Sequence, residues 1–192
     1  QLTTEDEQSI QIVLNAFYAG GPDLNYNGAG NAGFPGRTRM PSYAELMMQT
    51  DRAGEKRSYM SSEENFQYLK DMEKKNLIVP PVGDFAGSKA IRAVSDYLKA
   101  HEATVTAFYL SNVEQYLFQQ EEDWSKFYSN VGTLPLTTES VFIRSIFNGM
   151  IPPRSTGFGL RSASVLSSIP DVLQAFNEGK IRAYYDVIAM SH

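Results

Sequence analysis

Apolar residues recur at helical spacing near the start of the chain. In EDEQSIQIVLNAFYAGG, Ile10, Val13, Leu14 and Phe17 fall on one face, acids occupy the first turn, Thr3 or Thr4 can cap it, and Gly20-Gly21 stops it. Ser42 is placed to cap a short helix over Tyr43 to Thr50, and Asp51 to Ser58 reads as a charged turn. Ser61-Ser62-Glu63-Glu64 is a capping box, with Ser61 as cap and Glu64 three residues on, opening a helix through Phe66, Leu69 and Met72, which ends at Lys74-Lys75. The period then changes. Leu77 to Val79 is an apolar run closed by Pro-Pro-Val-Gly-Asp, Ser88 to His101 has helical spacing, and Thr104 to Leu110 is a β-branched and aromatic run. This predicts a strand–helix–strand unit over Asn76 to Phe118.

Downstream, Asn112 to Gln119 and Asp123 to Asn130 read as short helices, and SVFIRSIF (Ser140 to Phe147) as a strand interrupted by Arg144. Pro170 suits the first turn of a helix over Ile169 to Asn177 that Gly179 ends. RAYYDVIAM, Arg182 to Met190, has the aromatic and β-branched content of a strand. Two stretches have no period: Pro22 to Pro41, rich in Gly and Asn, and Asn148 to Leu166, which carries Pro152, Pro153, Arg154 and Arg161. Strands alternating with helices predict an α/β sheet covered on both faces, with residues 1–60 as a helical, loop-rich segment packed on a 61–192 α/β domain. A helix feeding directly into the Leu77 run implies an earlier parallel strand, which nothing before Gln8 supplies, so an amino-terminal half is expected to lie outside this chain.

Composition narrows the class without naming a reaction. The 192 residues are 42% apolar and 20% charged, enough for one domain with a sizeable core. Seventeen basic residues against 22 acidic ones give −5, which indicates no global attraction to nucleic acid or anionic membrane. Absence of Cys excludes disulfides and thiol catalysis, and no apolar run approaches the roughly 20 residues of a membrane helix.

Candidate chemistry gathers at the ends of the two strands flanking Ser88 to His101. Ligands of open parallel sheets bind at carboxyl strand ends, which points to Asp84 and to Ser111, Asn112, Glu114 and Tyr116. Asp84 can face a ligand or cap the next helix, and the Ser111–Tyr116 group can line a site or serve as cap and first-turn acid. Arg144 lies either on a solvent face, which period-two alternation favours, or in a buried ion pair. Gly28-Ala29-Gly30-Asn31-Ala32-Gly33 spells a dinucleotide fingerprint with Asp51 downstream, but no buried strand precedes it and Phe34-Pro35-Gly36 follows where a helix should open. Phe108, Tyr109, Tyr116, Phe118, Trp124, Phe127 and Tyr128 read as core. His101 and His192 are too far apart in sequence to suggest a triad or metal site, and no metal is expected.

The runs NLIVPPVGDFAG and VTAFYLSNVEQYLF, with SYAELM, ENFQYL, SVFIRSIF and YYDVIAMS around them, resemble a family of uncharacterised bacterial proteins over roughly 150 residues. The resemblance implies the carboxyl-terminal portion of a class I S-adenosylmethionine-dependent methyltransferase-like fold. That is a Rossmann-like three-layer sandwich, mostly parallel, ending in an antiparallel pair of SVFIRSIF with YYDVIAMS. It implies S-adenosylmethionine as the ligand, with Asp84 near the adenine or methyl-transfer end of the cleft and Ser111, Asn112, Glu114 and Tyr116 beside an acceptor. Exported or lipid-anchored relatives leave the compartment open beside the cytoplasm. The alternative is a non-catalytic binding or structural module whose partner surface is the 22–41 and 148–166 loops.

Overall fold

The computed structural model describes residues 2–25, 41–51, 53–147 and 162–192. The chain divides into two compact units, Gln1–Val79 and Pro80–His192. The boundary places the Glu63–Lys74 helix in the first unit, whereas the sequence pattern grouped it with the α/β domain.

The first unit is helical. α1 (Thr4–Gly20) begins with a reciprocal cap, in which the Thr3 hydroxyl accepts from the Asp6 N–H and the Asp6 carboxylate accepts from the Thr3 N–H. A 3₁₀ turn (Gly21–Asp23) follows, then α2 (Tyr43–Met47), capped by Ser42 and Glu45 in the same way, and α3 (Glu63–Lys74), capped by Ser62. None of the described residues of this unit is buried. The apolar face of α1 stays open, with Ile10, Val13, Leu14 and Phe17 each more than half exposed. Leu77 to Val79 is not a strand: Leu77 and Val79 are exposed and no ladder includes them. Its apolar run is short and ends at Pro80-Pro81, which lack N–H donors for a ladder.

The second unit carries the core. α4 (Ala90–Ala100) leads to β1 (Val105–Ser111), followed by α5 (Val113–Leu117), α6 (Asp123–Val131), β2 (Leu136–Phe147), β3 (Ser162–Ser168), α7 (Ile169–Asn177) and α8 (Tyr184–Ala189). The sheet order is β1-β2-β3, with β1 parallel and β3 antiparallel to β2. Among the described residues this is a small mixed sheet of three strands accompanied by eight α-helices across the two units. The expected mostly parallel, Rossmann-like three-layer sandwich is therefore overturned.

Two local corrections explain the difference. RAYYDVIAM forms α8 instead of a strand. Asp186 accepts from the backbone N–H groups of Arg182 and Ala183 at 2.8 and 2.9 Å, anchoring the start of that helix, while Val187 and Ile188 are buried. The antiparallel partner of SVFIRSIF is instead SASVLSS, which begins inside the stretch read as irregular and runs two residues past its end. Its seven-residue register runs from Val141 opposite Ser168 to Phe147 opposite Ser162. Serines have little intrinsic strand preference, so backbone pairing and the partner's packing define this strand.

The core joins β1 and β2 to the helices. Phe127, Tyr128, Val131, Phe142, Ile169, Val172 and Val187 are fully buried. Phe108 meets Phe127 edge-on at 6.2 Å and Phe142 at 5.8 Å, and Phe118 stacks on Trp124 at 5.1 Å. Tyr109 and Tyr116, also read as core, are largely exposed.

Candidate functional site

β2 buries every second residue: Ser140, Phe142, Arg144 and Ile146 share the inner face. Alternation thus holds, but it places Arg144 inside, where the solvent-face reading had put it outside. Its guanidinium meets the Glu114 carboxylate, with Nε toward Oε2 and one terminal N–H group 3.0 Å from Oε1. The other terminal nitrogen donates to the Ser167 hydroxyl, and the guanidinium lies 4.6 Å from the centre of the Phe142 ring. The Tyr128 hydroxyl donates to Glu114 Oε1 at 2.5 Å. Burial pushes the Tyr128 phenol well above its ordinary range, with the neighbouring Glu114 charge adding to it. The same two causes raise the half-buried Tyr184 phenol. Glu114, singled out as ligand-facing, is therefore committed to an internal ion pair joining α5 to β2.

The other residues of that group lie near β1's carboxyl end. Ser111 has φ of 51°, Asn112 precedes α5 without making a side-chain cap, and Tyr116 is exposed. The side chains of the Ser111–Tyr116 group thus do not converge: Glu114 points into the core and Tyr116 points outward, while Tyr109 before them reaches Ser145 at 3.3 Å.

Asp84 occupies a different place. It is exposed in the segment before α4, and its Oδ1 accepts from the Ala86 N–H at 2.9 Å. α4 begins at Ala90 with Lys89 in the cap position, so Asp84 closes a local turn and does not cap the helix. Among the described residues, Oδ2 has no hydrogen-bond partner. Beside it is a cleft of about 330 Å³ whose walls include Phe85, Ile91, Val94, Val105 and Phe108. Phe85 and Phe108 stack there at 6.4 Å. The cleft adjoins the first half of β1, whereas Ser111 to Tyr116 follow its far end.

Two residues with no motif signal shape this turn. Asn130, buried on α6, donates from its amide nitrogen to the Phe85 and Gly87 carbonyls at 3.1 and 2.8 Å and accepts from Arg92 Nε at 2.8 Å. Gly83 passes so close to α4 that a β-carbon there would lie 2.3 Å from the Ala90 β-carbon. An Asn partner 45 residues away has no local periodicity by which sequence could announce it.

Gly28 to Gly33, Arg154 and Arg161 lie outside the described residues. Among the described residues, no group of His, Asp or Glu side chains could hold a metal ion, and no helix is long and apolar enough to cross a membrane.

The second unit is thus a small mixed α/β module with an apolar cleft that, among the described residues, has one carboxylate, Asp84, in its lining. Residues 23–178, well over half of the chain, match the family described as "Domain of unknown function (DUF7790)", and the chain belongs to that family. No curated protein matches it.

Proposed function

We propose that the 80–192 unit binds a small ligand in the cleft beside Asp84. The observation that supports this reading is the conjunction of a concave, mostly apolar space with a carboxylate oxygen left uncommitted by the fold. Its volume falls at the small end of the roughly 300–1,000 Å³ spanned by ligand pockets. S-adenosylmethionine, the ligand implied by the resemblance, is the first probe: its sulfonium suits Asp84, while its ribose hydroxyls and carboxylate would have no other side-chain partner in this lining. Methyl transfer would also require an acceptor aligned with the methyl group. Ser111, Asn112 and Tyr116 lie toward the other end of β1, so the proposal concerns binding and assigns no catalytic residue.

Calorimetric titration of the full chain with S-adenosylmethionine tests the particular ligand. Saturable heat that disappears on filling the cleft with Ala107→Trp is the expected result. Flat heat at millimolar ligand would remove S-adenosylmethionine from the proposal.

The open face of α1 supports a second reading, a non-catalytic module that captures a protein partner. In that reading, Leu14→Ser with Phe17→Ser abolishes partner capture, while Ala107→Trp leaves it intact. The reverse pattern would reject it.

A further inference from the structure

The geometry points to an amphiphilic monocation, an amine or quaternary ammonium on a compact apolar or aromatic body, as the ligand class of the Asp84 cleft. This inference rests on the reading of that cleft as a ligand site.

Charge complementarity carries the argument. Among the described residues, Asp84 is the only ionisable side chain lining the cleft, and no Lys or Arg lines it. Arg92, in the first turn of α4, is held at the Asn130 amide oxygen. An anionic ligand would find no countercharge among the lining side chains, whereas a cation would meet Asp84 Oδ2 without displacing its Oδ1 bond to Ala86. The stacked rings of Phe85 and Phe108 are the second element, because aromatic faces attract cations through their quadrupole. Ile91, Val94 and Val105 offer hydrocarbon contact and no side-chain hydrogen bonds, so the ligand's body should carry few polar groups. Ligands rich in hydroxyls or phosphates fit this lining poorly, because each such group would lose water without a side-chain partner other than Asp84.

Three probes with one apolar body and different charges provide the test: 3-phenylpropylamine, 3-phenylpropanol and 3-phenylpropionate. Each is titrated into the isotopically labelled full chain while the amide resonances of Asp84 to Ala90 and Val105 to Phe108 are followed. Asp84 is exposed, which limits its charge contribution to a few-fold, and the rings add a similar factor. The amine should therefore bind about tenfold more tightly than the alcohol, with the propionate weakest. Asp84→Asn keeps the size of the side chain and an oxygen for the Ala86 bond. It should cut the amine's preference over the alcohol from about tenfold to the few-fold that the rings supply, and leave the alcohol's affinity unchanged. Equal binding of all three probes, or an amine preference undiminished by Asp84→Asn, would overturn the cationic class while leaving the cleft a ligand site. Failure of every probe to shift those resonances would overturn the site itself.

Discussion

At the scale of single residues, the consequential pair is Glu114 and Arg144. Both are essentially buried, and each satisfies the other's charge. Removing one partner leaves an uncompensated ion inside the protein, so Arg144→Met should lower stability by about 3–5 kcal/mol. Glu114→Leu added to it should restore much of that loss; urea unfolding of the single and double variants measures both effects. Tyr128 adds a pH dependence. Its folded-state pKa is raised above the ordinary value of 10.0, so its contribution is complete below that value and is lost as pH rises beyond it. The unfolding midpoint should fall above about pH 10, and absorbance at alkaline pH should show Tyr128 ionising only as the chain unfolds. The sequence made the β2 alternation legible, since Ser140, Phe142, Arg144 and Ile146 are spaced two apart. It favoured the wrong face as the inner one, because Val141, Ile143 and Phe147 make the opposite face the more apolar.

At the scale of elements, the cleft depends on a short segment held from a distance. The Phe85 to Gly87 turn has no ladder of its own, and the Asn130 amide supplies its carbonyls with donors from α6. Asn130→Ala should cost about 1–3 kcal/mol through unsatisfied partners. It should also speed amide hydrogen exchange at Asp84 to Ala90 more than across β2 and β3, as mass spectrometry of exchanged peptides can measure. Helices with strong local signals were legible: the Thr3 and Ser42 caps are made where the pattern placed them, whereas α3 is capped by Ser62, one residue past the expected Ser61. Elements whose composition argued against their structure were not. SASVLSS is a strand by virtue of its ladder to β2, and AYYDVIA is a helix whose cap and buried Val187-Ile188 pair outweigh its β propensity.

For the whole molecule, the division after Val79 separates a unit with a buried core from one whose described residues are all at least partly exposed. A fragment spanning 80–192 should therefore unfold cooperatively by itself, with a heat-capacity change expected of an independent domain. Scanning calorimetry of that fragment beside the full chain checks this; a fragment without a transition would show that its core requires residues 1–79. The sequence by itself determined the capped helices, the β1 and β2 strands and the candidate status of Asp84, because caps and period-two patterns are local. Tertiary structure alone decided that the described sheet is a mixed one of three strands, that Glu114 belongs to the interior, and that Asp84 stands beside a cleft away from Ser111 to Tyr116. Those outcomes depend on which distant surfaces meet, and the burial of a charge becomes tolerable only when a partner 30 residues away, Arg144 for Glu114, arrives with it.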